Sequence, residues 1–413
     1  VPSLIHTYAE MLLARGLAIL GSFGVAIMTA RMLGPVERGR YYYIVTLAAI
    51  ALQIASLGIQ SSNTYLIART PALLAQIMAN SLWLAVLAGV AAAAGVIAFD
   101  LAIGGPEQSF MFVAIVMALT PSLLLFLYLS NIVVALNRPR TFNGLIILNG
   151  VAAIGAALSA SWLAPQLGGF LVAAVVASFV ACVVAWAVLA KGVDIPRRFD
   201  FGLFRDGIAF ALRAHVATLL GFVMGRMSVM VLRQFGEFAD IGYWSIAAQI
   251  ADALLILPST IGLLLFPALV RAKGPARMQQ YKVALLQITL LMALVCTASA
   301  VVASPIVTII FGKAYEPAVA IILALLPGVF FIGVASAASQ FLSASGFPWS
   351  QVMAWLCGAT LQVVLSVALF GQFGAVGLAW IQSACAGFVA IWLVLASFKV
   401  GGTCGNTHDL ADV

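Results

Sequence analysis

The stretch IVMALTPSLLLFLYLS (Ile115–Ser130) returns as IILALLPGVFFIGVAS (Ile321–Ser336). A shift of 206 residues superposes Ile115, Ala118, Leu119, Pro121 and Ser130 on Ile321, Ala324, Leu325, Pro327 and Ser336. The same shift brings Gln166 and Gly168 onto Gln372 and Gly374, and Trp186, Val188, Leu189 and Ala190 onto Trp392, Val394, Leu395 and Ala396. Toward the N-terminus the offset shrinks, so that Gly58 meets Gly262 and Gly34 meets Gly236, as short loop insertions would produce. Alanine and leucine coincide cheaply in apolar sequence, so the weight falls on the matched Pro, Trp and Gln. The chain reads as a duplication.

Each copy is strongly apolar. Of the 413 residues 64% are hydrophobic and 8% charged, with a mean hydropathy of +1.14. A soluble domain carries roughly 25% charged residues, so this chain cannot furnish a water-facing surface. Its apolar residues form twelve runs near or above the ~20 residues needed to cross a bilayer, at about 10–33, 41–66, 73–99, 110–136, 142–163, 169–190, 208–232, 241–267, 281–303, 318–343, 350–371 and 375–398. The alternating polarity of barrel strands is absent. The expected fold is an all-α polytopic membrane protein of twelve transmembrane helices, arranged as two pseudo-symmetric six-helix bundles around a central cavity. The expected domains are a bundle over 1–190, a linker over 191–206, a bundle over 207–398 and a disordered tail over 399–413. The first apolar run is too long for the core of a cleavable signal peptide and is followed by eleven more. Five cysteines, Cys182, Cys296, Cys357, Cys385 and Cys404, are scattered without metal-ligand spacing or a disulfide framework and read as small packing residues.

The net charge of +7 does not point to nucleic acid, because the basic residues sit in loops between spans. With a cytoplasmic N-terminus, the inside loops hold Arg69, Arg138, Arg140, Lys191, Arg197, Arg198, Arg205, Arg271, Lys273, Arg277, Lys282 and Lys399. The outside loops hold Arg31, Arg38, Arg40, Arg233 and Lys313, accompanied by Glu37, Asp100, Glu107, Glu237, Asp240 and Glu316. The excess of Lys and Arg places both termini in the cytoplasm.

Six spans return the chain to its starting side, so the halves share one orientation about an axis along the membrane normal. Two such bundles enclose a cavity that rocking opens to either side in turn, an architecture of transporters. Pro121, Pro258 and Pro327 sit within spans, where they suit helices that bend; static kinks re-satisfied by neighbouring helices fit the sequence equally well.

Ionisable residues inside spans need a reason, because an unpaired charge near the bilayer centre is costly. They are Arg15 in the first span, Arg213, His215 and Arg226 in the seventh, and Asp252 in the eighth. Asp252 is deepest, at ~18 Å of helical rise from the outer loop. With Ser245, Gln249 and Ser259 it forms one polar helix face, which must meet protein or water. Arg226 on the adjacent helix is within reach, so Asp252 either serves a cavity or pairs structurally with Arg226. Arg226 and His215 are candidates for lining an anion-accepting lumen; Arg213 and Arg15 are nearer the cytoplasmic ends, where snorkelling competes. Asn63, Asn131, Asn149, Gln249, Gln340 and Gln362 suit either a sugar-binding cavity or interhelical hydrogen bonds.

Several short motifs carry a resemblance. ARMLGPVERGRYYY (Ala30–Tyr43) and LGIQSSNTYLIAR (Leu57–Arg69) resemble the opening of the polysaccharide transporters of the multidrug/oligosaccharidyl-lipid/polysaccharide superfamily, which include the Wzx-type O-antigen flippases. FGEFADIGYWSIAAQI (Phe235–Ile250), FGKAYEPAVAIILALLPG (Phe311–Gly328) and LSASGFP (Leu342–Pro348) are similar to the family's Gly-x-Tyr-x-x-Ala turn, Phe-Gly-x-x-Tyr-x-x-Ala loop and Leu-x-x-x-Gly turn. The resemblance implies a monomeric flippase that moves undecaprenyl-pyrophosphate-linked oligosaccharide across the cytoplasmic (inner) membrane of a bacterium. It also implies association with lipid and with the polymerase and glycosyltransferases of the same pathway. No cofactor is expected, and Na+ or H+ is left open as coupling ion. A lumen carrying Arg and His suits a pyrophosphate head group. In one respect the chain departs from the family: many relatives carry an Asp two residues after an Arg in span seven, where this chain has Ser228.

A multidrug or cation exporter of the same superfamily would favour an acid-lined cavity, against the balance of Arg and His found here. A membrane enzyme acting on lipid-linked glycan would need catalytic carboxylates or His on a sizeable outer loop, and the outer loops are all short. A non-transporting scaffold of the same fold is the third alternative.

Overall fold

The computed structural model of the chain describes residues 4–103, 109–272, 274–346 and 348–406. It gives helices α1 (Leu4–Ser56), α2 (Ile59–Arg69), α3 (Leu74–Ala102), α4 (Phe110–Ala135), α5 (Pro139–Leu163), α6 (Leu167–Ala190), α7 (Phe201–Phe235), α8 (Phe238–Leu254), α9 (Ile256–Arg271), α10 (Gly274–Ile306), α11 (Ala318–Ala344) and α12 (Trp349–Asn406). Nine stretches of the described residues are long and apolar enough to cross a membrane. This is a multi-pass, all-helical membrane protein, with no strand among the described residues.

Helix boundaries depart from the expected spans where the backbone bends without a loop. α1 covers the first expected span and the second as far as Ser56 in one helix interrupted only at Gly34 (φ 70°, ψ 176°), because the glycine takes a conformation closed to other residues and Pro35 is pre-set to begin the next helix. Gly374 (φ 59°, ψ −155°) does the same inside α12. The second expected span breaks again at Leu57–Gly58, and the hydroxyl of buried Tyr128 donates to the carbonyl of Ser56 at 3.1 Å, satisfying an acceptor that the break releases. The eighth expected span divides into α8 and α9 at Leu255; Pro258, in the first turn of α9, lacks the N–H that would have bonded back across that break. Pro121 and Pro327, in contrast, lie inside the unbroken α4 and α11.

The chain divides into two compact units, 1–222 and 223–413. In the first, α4 is the hub and packs against α1, α2, α3 and α6. α3 comes close where Gly89 faces Pro121, at 3.0 Å from where a Cβ would stand to the proline Cα. In the second, the hub is α11, packed against α8, α9, α10 and α12. The duplicated sequence thus supplies the central helix of each unit.

The segment after α6 belongs to the first unit. Trp83 Nε1 on α3 donates to the Arg197 carbonyl at 3.0 Å. Asn80, also on α3, donates to the Asp200 carbonyl at 2.8 Å and accepts from the Asp200 N–H at 2.7 Å. The expected linker 191–206 is therefore strapped along α3 up to Asp200, and its last residues are already helical. At the other end, α12 is helical to Asn406, which takes in the first residues of the expected tail over 399–413; 407–413 lie outside the described residues.

Candidate functional site

α7 ends at Phe235 and the chain turns through Gly236 into a reciprocal cap: the Glu237 side chain accepts from the backbone of Asp240, and Asp240 Oδ2 accepts from the Glu237 N–H at 3.0 Å. This turn, inside one of the motifs quoted above, joins α7 to α8. The loop motif at Phe311–Tyr315 meets it, with Tyr243 and Tyr315 rings edge to face at 6.3 Å.

Arg226 and Asp252 then meet. Nη2 of Arg226 donates to Asp252 Oδ2 at 2.9 Å, joining α7 to α8. The pair is open: the Arg226 side chain is 26% exposed and that of Asp252 57%. Along α8 the polar face runs from buried Ser245 through half-buried Gln249 to exposed Asp252, and Ser259 continues it on α9.

Two residues beyond Arg226, about 200° around the helix, Ser228 belongs to a different and closed environment. Its hydroxyl donates to Gln382 Oε1 at 2.7 Å, and Gln362 Nε2 donates to the Met224 carbonyl at 2.9 Å and approaches Ser228 Oγ at 3.4 Å. Ser228 and Gln362 are buried, and Gln362 Oε1 has no hydrogen-bond partner among the described residues. Where the resemblance implies an acid in many relatives, this chain has a neutral network drawn from α7 and both arms of α12. Sequence reading named Gln362 and Ser228 but missed Gln382, because nothing local marks three residues so far apart in the chain as neighbours.

The other candidates stand elsewhere. His215 is buried in the first unit beside the α1–α2 break, with Nδ1 lacking a hydrogen-bond partner among the described residues. Asn63 on α2 is buried and donates to Ser81 Oγ on α3 at 3.0 Å, an interhelical bond. Arg15 on α1 and Arg213 on α7 have side chains outside the described part of the structure.

Arg38 and Asp100, expected in outer loops, are instead buried inside helices. Arg38 donates to Thr29 across the Gly34 bend and lies over the Tyr41 ring, and Asp100 accepts from the Tyr43 hydroxyl. Their charge suggested loops; the single-residue bend at Gly34 leaves no loop there to hold Arg38.

Comparisons with known proteins decide the family. The sequence profile of the polysaccharide biosynthesis protein family matches residues 9–273. This chain belongs to that family. No curated protein matches it significantly. Among solved structures, the family member is similar to the lipid II flippase MurJ in its inward closed conformation, at 13% identity and a TM-score of 0.75, over 97% of this chain and 90% of that one. It is similar to an inward-facing multidrug resistance MATE transporter of the MOP superfamily, at 14% identity and a TM-score of 0.73, over 95% and 96% of the two chains. A MOP superfamily transporter from Pyrococcus furiosus, described as having a binding pocket of reversed polarity, matches at 14% identity and a TM-score of 0.64 over 97% and 95%. At these identities the likeness establishes the fold.

Proposed function

We propose that this chain is a flippase that carries undecaprenyl-pyrophosphate-linked oligosaccharide across the bacterial cytoplasmic membrane by alternating access. The observation that carries the reading is membership of a polysaccharide biosynthesis family by a chain made of membrane-crossing helices. Glycan intermediates built on a lipid must change leaflets, and a multi-pass helical protein of this fold suits that step.

The finer architecture belongs to the same proposal. Stretches of 41 residues (Gly16–Ser56) and 53 residues (Trp349–Gly401) are too long to cross a ~30 Å core once at 1.5 Å per residue. Divided at Gly34 and Gly374 they give two crossings each, and with α7 the total is twelve, in two six-helix bundles with both termini cytoplasmic. The exposed face of Asp252 cannot rest against lipid, so it borders water; Arg226 beside it supplies the cation for a phosphorylated head group. Arg226, Asp252, Gln249 and His215, with Arg213, Arg15 and Asn63, are the proposed cavity residues, and Pro121, Pro258 and Pro327 the proposed bending points. The protein acts as a monomer without cofactor, alongside the polymerase and glycosyltransferases of its pathway, and performs no catalysis. Coupling to Na+ or H+ would fall to Asp252, since the Ser228 network is neutral.

Deletion in the native host followed by extraction of lipid-linked glycan tests the reading. Completed undecaprenyl-linked oligosaccharide accumulating on the cytoplasmic face is the expected result; a shorter, unextended glycan would point to an enzyme and overturn it.

A further inference from the structure

Trp392 repeats Trp186, yet the two have different surroundings. Trp186 packs against a core cluster that includes Ile132, Val133 and Leu145, and Ile195 and Leu203 from the chain after α6 pack there too. Beside Trp392 lies instead an open groove of about 550 Å³, lined by Phe388, Trp392, Leu395 and Lys399 on the second arm of α12 and by Ser350 at the start of the first. The Phe388 and Trp392 rings meet edge to face at 5.6 Å along it.

We propose that this groove holds an anionic phospholipid of one leaflet, with its phosphate against Lys399 and Ser350 and an acyl chain along Phe388, Trp392 and Leu395. The polarity of the lining fits an amphiphile, since the cation and the hydroxyl are at one end and the rest is apolar. Lys399 is the first charged residue after the apolar run 375–398, and so stands at the membrane surface. From there to Phe388 the helix rises ~16 Å, about half of a ~30 Å hydrocarbon core, the depth of one leaflet. A polyprenyl chain is longer than that, which favours an ordinary phospholipid. A basic residue at the membrane surface attracts anionic lipid. The proposal does not depend on the transport reading.

Native mass spectrometry of the full chain, with phosphatidylglycerol and phosphatidylcholine added in turn, provides the test. The wild type should retain phosphatidylglycerol preferentially, and Lys399→Gln should lower that preference about fivefold. Ala396→Trp, which fills the groove, should abolish retention. Should that variant not fold, quenching of Trp392 by brominated phosphatidylglycerol, taken as the difference between wild type and Trp392→Phe, gives the same information. An unchanged preference in Lys399→Gln, full retention in Ala396→Trp, or no quenching of Trp392 would overturn the proposal. So would displacement of the phospholipid by an equimolar polyprenyl phosphate, or a gain in lipid on removing residues 407–413.

Discussion

Gly58 shows how tightly single positions are held. Its φ is +72°, and a Cβ there would stand 2.2 Å from the Ala211 carbonyl oxygen and 3.0 Å from the His215 Cβ. Gly58→Ala should therefore destabilise the protein by about 2–4 kcal/mol, from backbone strain and overlap together. Gly95→Ala, where a Cβ meets nothing within 4 Å, should leave the thermal midpoint in detergent unchanged or slightly raised. At the candidate site, Arg226→Ala and Asp252→Asn should each reduce flipping while leaving membrane insertion intact, with a stability cost of about 1 kcal/mol or less for so open a pair. Wild-type transport in both variants would remove the pair from the mechanism. Asp252 and Arg226 were legible in the sequence, because helical spacing on adjacent spans already brings them within reach of each other. Gln382 was not, since its partners Ser228 and Gln362 come from different helices and only packing makes them neighbours.

Among the elements, α11 carries an unusual brace. Ser383 Oγ donates to the Ala324 carbonyl at 2.6 Å and accepts from the Gly328 N–H at 3.0 Å, bridging the two groups that one helical turn would pair directly. It does so one residue past Pro327, where the helix already lacks a donor. In α4, Cys182 Sγ donates to the Ser122 carbonyl and Ser122 shares a hydrogen bond with Ser178, one residue past Pro121. Both prolines thus sit in helices whose backbone is supported from the last helix of their own half. Ser383→Ala should cost about 1–2 kcal/mol, read as a lower thermal midpoint, and Ser383→Thr should retain most of it. The sequence made these two helices recognisable as copies through their prolines. It did not reveal the hydroxyl and thiol supports, which come from partners more than fifty residues away.

At the scale of the molecule, the hydrogen bonds from Asn80 and Trp83 make residues 191–200 part of the first unit. Asn80→Ala removes both bonds to Asp200 and should raise the rate of tryptic cleavage at exposed Arg197 and Arg198 about tenfold, as expected if local opening becomes easier by about 1.4 kcal/mol. An unchanged rate would mean that the strap is held by other contacts. Composition alone was enough to read this segment as a polar connection; its attachment depends on two side chains of α3 that face it only once folded. The bends at Gly34 and Gly374 have a practical corollary for anyone labelling this protein. On the proposed twelve-span topology, a helix pair joined by a single glycine projects no peptide beyond the membrane surface, so an epitope inserted at either elbow has to prise two arms apart, whereas a tag placed between Lys191 and Pro196 extends a polar, mostly exposed segment between helices.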